Sequence, residues 1–142
     1  MNLQKLHHLS RMRTELDKLH AALISKILLH SNDVVHGGSI SVEGQNLIAK
    51  VIGVPFDVVH RPILASDQFC AVEYTFITPF NNADCPIWRM YLGMQGQLFF
   101  DAKLEKEIVN FEENNLIHTI VMQIAEALMK SPILSPAPII VF

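Results

Sequence analysis

The chain is short of charge. Asp, Glu, Lys and Arg make up 18% of its 142 residues, against roughly a quarter in an average globular domain. The net charge is only −3, and no clustered basic face of the kind that grips nucleic acid is present. Cysteine is equally scarce, with Cys70 and Cys85 alone. Residues 69–79 and 85–101 read as hairpin strands around a turn near residue 82, a register that sets Cys70 opposite residue 94. That separation argues against a disulfide, and the two thiols read as small buried side chains. No run of about 18 apolar residues occurs, so no membrane span is expected. The start, MNLQKLHHLSRMRTEL, carries charges where a secretory leader needs an unbroken apolar stretch. The expected compartment is the cytoplasm.

Motifs that carry chemistry are also missing. Seven histidines are present (His7, His8, His20, His30, His36, His60 and His118), but no two are three or four apart on a helix. No CxxC or HExxH accompanies them, so no metal site is assigned. The stretch HGGSISVEG falls short of a nucleophile elbow, because Ser41 stands where G-x-S-x-G needs its second glycine. Gly37 and Gly38 belong to no phosphate-binding loop. Glu105, Glu107, Glu112 and Glu113 lie in a charged connector and read as solvated. No catalytic residue and no cofactor is assigned.

What the chain has in quantity is apolar surface. Hydrophobic residues make up 50% of it, and the mean hydropathy is +0.28. At 142 residues it reads as one domain. A globule of this size has limited room to bury so many apolar side chains. The surplus points to an oligomer interface, a hydrophobic groove, or both.

Residues 1–31 form the first unit, an N-terminal amphipathic helix. Leu3, Leu6, Leu9, Met12, Leu16, Leu19, Leu23 and Ile27 recur every three or four residues. The stripe is narrow and nearly heptad, which suits packing on another helix or on a partner. Residues 39–101 read as an antiparallel sheet. Residues 39–54 admit a helical reading, and with it a helix-turn-helix, but Val, Ile and Gly dominate and favour strand. Residues 56–65 supply a further strand. FCAVEYTFIT alternates cleanly, with Cys70, Val72, Tyr74 and Phe76 on one face. PFNNADCP is a loop by composition. In the return strand Trp88, Met90, Leu92 and Met94 share a side, and Gly93 and Gly96 ease a bend. Residues 101–113 are charged and irregular. A helix then occupies 115–130, with Asn114 or Asn115 as its cap and Lys130 at its C-terminus. The fold class expected is α+β: an antiparallel four-stranded sheet, a long N-terminal helix, and a C-terminal helix followed by an extended strap.

That strap, residues 131–142, has the sequence SPILSPAPIIVF. Pro132, Pro136 and Pro138 forbid a helix and hold their neighbours extended. Ile139, Ile140, Val141 and Phe142 then carry apolar side chains across some other surface.

With the strands VEYTF and PIWRMYLGMQGQLFF, the acidic connector with Phe111, the helix LIHTIVMQIAEALM and the strap, the second half of the chain resembles the SecB family of protein-export chaperones. That family's P-x-L-x-x-A-P strap is matched by Pro132, Leu134, Ala137 and Pro138. The resemblance covers residues 39–142 and is strongest from 85 on. The chain differs from the family in starting with a long helix and in lacking a second helix after the strap. The resemblance implies a non-enzymatic protein that binds hydrophobic segments of unfolded polypeptides. It also implies a homo-oligomer, dimer or tetramer. The groove residues expected are Trp88, Met90, Leu92, Phe99, Phe100, Leu134, Ile139 and Phe142. Two rivals stay open: a small-molecule-binding or catalytic α+β domain with a pocket near Trp88 and Tyr91, and a structural oligomerisation module.

Overall fold

The computed structural model describes residues 2–30, 33–65 and 70–134. It opens with α1 (Leu3–Leu29), started by Asn2, whose side chain accepts from the Lys5 N–H at 2.8 Å. Seven strands follow: β1 (Ser39–Glu43), β2 (Asn46–Val51), β3 (Val54–Leu64), β4 (Cys70–Phe80), β5 (Ala83–Leu92), β6 (Gln97–Phe99) and β7 (Glu107–Asn110). Then come α2 (Leu116–Met129) and a short 3-10 turn, Pro132–Leu134. The strands lie in the order β1 to β7, each antiparallel to the next. The α+β expectation holds, but the four-stranded sheet does not: the sheet has seven strands and curls into a half-barrel.

Tight turns account for the extra strands. Ile52 and Gly53 both have positive φ, as do Asn81 and Asn82. This is the two-residue hairpin geometry whose twist matches the flanking strands. It makes separate strands of β2 and β3, which the sequence left ambiguous, and of β4 and β5. The long return strand expected over 85–101 is folded in two. Gly93 accepts from the Gly96 N–H at 3.2 Å and donates to the Gln97 carbonyl at 2.8 Å, so β6 doubles back on β5. The connector expected to be irregular holds β7. Before it, the Asp101 carboxylate accepts from the Glu105 and Lys106 N–H groups at 3.2 and 3.0 Å, tying a turn.

Gly96 is required twice over. Its φ is +79°, and a Cβ there would sit 2.5 Å from the Phe111 ring. Gly44 also has positive φ, at +66°, but has open space around it. Gly96→Ala is expected to lower stability by about 2 kcal/mol or more, against about 1 kcal/mol for Gly44→Ala, as read from thermal denaturation.

The two helices fill the concave side. α1 packs on β4 and β1; α2 touches β1, β2, β5 and β7, so it reaches both ends of the sheet. The core joins Leu16, Leu23 and Ile27 of α1 and Ile120, Ile124 and Leu128 of α2 to the inward residues of the strands. Val72, Tyr74 and Phe76 face inward, as the alternation predicts. Gly38 allows the close approach of α2 to the start of β1, since a Cβ there would meet Val121 at 2.6 Å. Asn115 stands at the α2 N-cap, but its side chain makes no capping bond. Lys130 closes the helix and donates to Glu126 at 3.2 Å. Both cysteines are free thiols.

The α1 stripe is buried only in part. Met12, Leu16, Leu23 and Ile27 are covered, joined by Ile24, while Leu3 and Leu6 remain 67% and 53% exposed. A helix of 27 residues is about 40 Å long, and its first turns carry no buried residue before Met12.

Candidate functional site

Among the described residues, the expected groove residues do not form one surface. Met90 and Leu92 lie on the inner face of β5 opposite Tyr74 and Val72. Both are 0% exposed and belong to the core. They are not groove residues: the helices cover that face. Phe99 pairs with Tyr91 on the outer face and is itself buried, at 8% exposure. It lines a separate opening of about 360 Å³ with Ala65, Met94, Lys103 and Leu104. Leu134 is exposed on the turn after α2. Ile139 and Phe142, with Ala137 and Pro138 of the strap motif, lie outside the described residues.

Trp88, Phe100 and Tyr91, the residue singled out for the rival pocket, border one trough, Trp88 from the inner face of β5 and Tyr91 from the outer. A trough of about 300 Å³ is lined by Pro86, Ile87, Trp88, Arg89, Tyr91 and Phe100. It opens along β5. β6 pairs with β5 only at Tyr91 and Leu92. Residues 83–90 therefore pair with β4 on one side and, among the described residues, with no strand on the other. Ile87 is skipped in the β4–β5 register, where Phe76 faces Trp88 and Ile77 faces Pro86. Such a bulge re-aims its neighbours. Pro86 has no N–H to offer, which suits an edge position.

The trough is held from behind. The Trp88 ring packs tilted on Phe76, with centroids 5.3 Å apart. On the outer face Arg61, Glu73 and Tyr91 share one rung across β3, β4 and β5. Arg61 Nε donates to the Glu73 carboxylate at 2.9 Å. The Tyr91 hydroxyl donates to the same carboxylate. Burial pushes that hydroxyl above its ordinary range, and the Glu73 charge and hydrogen bond push the same way; Arg89 and Arg61 pull against them. Tyr91 is thus fixed by a partnered carboxylate, while Phe100 is 42% exposed at the mouth.

The described residues that line the trough are aromatic, aliphatic and proline side chains with one arginine. The arrangement offers strand backbone that, beyond β4, no other strand pairs among the described residues, beside aromatic side chains and the Arg89 guanidinium. The sequence marked the aromatic residues but not the edge. β6 is three residues long, too short for its pairing limit to be read from alternation. The chain matches no protein-family model, no curated protein and no solved structure.

Proposed function

We propose that this protein is a non-enzymatic holder of extended, apolar polypeptide segments, which it takes up along the open edge of β5. The observation that carries this reading is the coincidence, among the described residues, of unpaired strand backbone at residues 83–90 with the trough of Trp88, Tyr91 and Phe100. An added strand satisfies main-chain donors and acceptors, and alternate side chains enter the trough. Each apolar side chain seated there gains about 25 cal/mol per Å² removed from water. The trough is open to one side, which suits a chain passing through better than an enclosed small molecule. The same activity is what the resemblance to SecB-type chaperones implies. A cytoplasmic location and assembly as a dimer or tetramer belong to this reading. Among the described residues, no helix is long and apolar enough to cross a membrane.

Trp88 is the one tryptophan of the chain, so its emission reports directly on the trough. An end-blocked peptide of about eight residues rich in Val, Ile and Phe is expected to shift that emission saturably, with Kd on the order of micromolar. Phe100→Asp is expected to weaken binding about tenfold or more and to leave the thermal midpoint unmoved. A wild-type protein that binds no such peptide, or a Phe100→Asp variant that binds it equally well, overturns the proposal.

A further inference from the structure

α1 brings His20 onto the inner face of the sheet, where its ring meets the Tyr74 hydroxyl and the Gln45 carbonyl. His20 Nδ1 lies 2.8 Å from the Tyr74 hydroxyl, and His20 Nε2 lies 3.0 Å from the Gln45 carbonyl. A carbonyl only accepts, so Nε2 carries a proton and donates. In the neutral ring Nδ1 then accepts from the Tyr74 hydroxyl. Tyr74 is 0% exposed, and burial raises its hydroxyl well above the ordinary range, so it stays a donor. The set is matched while His20 is neutral. A second proton, on Nδ1, would turn the Tyr74 oxygen into the acceptor and take from its buried O–H the partner it donates to.

His60, on β3, stacks on the same ring. The centroids are 4.1 Å apart and the planes 19° from parallel. It also lies against Tyr74, at 5.9 Å. Two neutral imidazoles stack comfortably; two imidazolium ions at this distance repel. The charged groups around the pair are few. Arg13 and Asp17 of α1 border the cleft of about 160 Å³ that both rings line. They lie 3.9 Å from each other, so Asp17 is partly neutralised. From the sheet, Glu43 and Asp57 border the opening on the other side of His60. Burial, then the neighbouring His20, hold His60 below its ordinary 6.5, with Asp17 pulling weakly the other way. Among the described residues no group of three or more His, Cys, Asp or Glu is placed to hold a metal ion.

The anchorage of α1 is uneven. Leu23, Ile24 and Ile27 are buried in its C-terminal half, whereas the part before His20 buries Met12 and Leu16 alone. The bonds and stacking of His20 therefore add to the burial of Met12 and Leu16 in holding the N-terminal half down.

We propose that the stacked His20 and His60 form an acid-operated latch, in which a proton added to the stacked pair releases the N-terminal half of α1 from β3 and β4 while its C-terminal half stays packed. The sign follows from linkage. His60 binds its proton less readily in the folded chain than in the unfolded one. Its contribution is complete above pH 6.5 and is lost as pH falls through the lower folded value. Opening uncovers Leu16 and Val72, which line the cleft beneath the rings.

Segment-resolved amide exchange of the full chain, corrected for intrinsic rates, tests the latch at about pH 5 and about pH 7.5. Protection of residues 3–20 is expected to fall about tenfold or more at the lower pH, while residues 22–29 keep theirs. His60→Phe retains a stacked ring without a titratable nitrogen and is expected to abolish that step. Equal protection at both pH values, or the same fall in His60→Phe, overturns the proposal. If His60→Phe does not fold, the ring Cε1–H signals of the wild type decide. A helix-opening midpoint that coincides with the coupled titration of His20 and His60 supports the latch, and one that does not coincide with it rejects the latch.

Discussion

Met90→Ala is expected to lower the free energy of unfolding by about 2–5 kcal/mol, measured by chemical denaturation. The side chain is 0% exposed and sits in the core with Tyr74 and Phe76. Truncation removes its thioether from that packing and leaves a cavity under two helices. Leu92→Ala, at the same depth on the same strand face, belongs in the same range. Peptide affinity per folded molecule is expected to change far less than stability, because Met90 lines no part of the trough and reaches it only through Phe76, on which Trp88 packs. That outcome separates the inner face of β5 from its edge. If Met90→Ala cost peptide affinity while leaving stability intact, the binding surface would have to be moved to the concave side.

Removal of residues 1–30 is expected to abolish the cooperative unfolding transition. α1 contributes Leu16, Leu23, Ile24 and Ile27 to the core. Each such burial is worth about 1.5–3 kcal/mol, and four of them rival the roughly 5–15 kcal/mol by which whole domains are stable. Loss of the helix also exposes the inner faces of β1 and β4, which it covers. The exposed end of the same helix behaves differently. Leu3→Ser combined with Leu6→Ser is expected to change stability by no more than about 0.5 kcal/mol. If the truncated chain still melted sharply, α1 would be an appendage and the sheet and α2 a sufficient fold.

Much of this architecture was legible in the residues. The 3.6-residue stripe of α1, the strict alternation of Val72, Tyr74 and Phe76, and the Asn81 and Asn82 turn each follow from local chemistry, and the structure has them all. β6 and β7 were not legible. They are three and four residues long, and β7 begins in a charged connector whose composition reads as loop. The candidate groove failed for another reason. Trp88, Met90 and Leu92 alternate as one apolar face, and that pattern is the same whether a helix covers the face or solvent does. Which of the two holds is decided by α2, whose apolar stripe of Ile117, Ile120, Ile124 and Leu128 needs a surface to bury against. The pairing of His20 with His60 was not legible because no spacing rule relates them. Only the crossing of α1 over β3 and β4 brings the rings within stacking distance.

Among the described residues, each strand of the sheet pairs only with its neighbours in the sequence. The sheet can therefore zip hairpin by hairpin as the chain emerges from a ribosome, each step closing only a short loop. α1 is made before any of these strands. Its principal platform is β4, and the His20 to Tyr74 contact spans 54 positions. Leu16, Leu23 and Ile27 must wait, unburied, until that platform exists. During synthesis this helix is itself an unsatisfied hydrophobic segment, so the chain passes through a stage in which it is a client for the kind of binding proposed for its folded form.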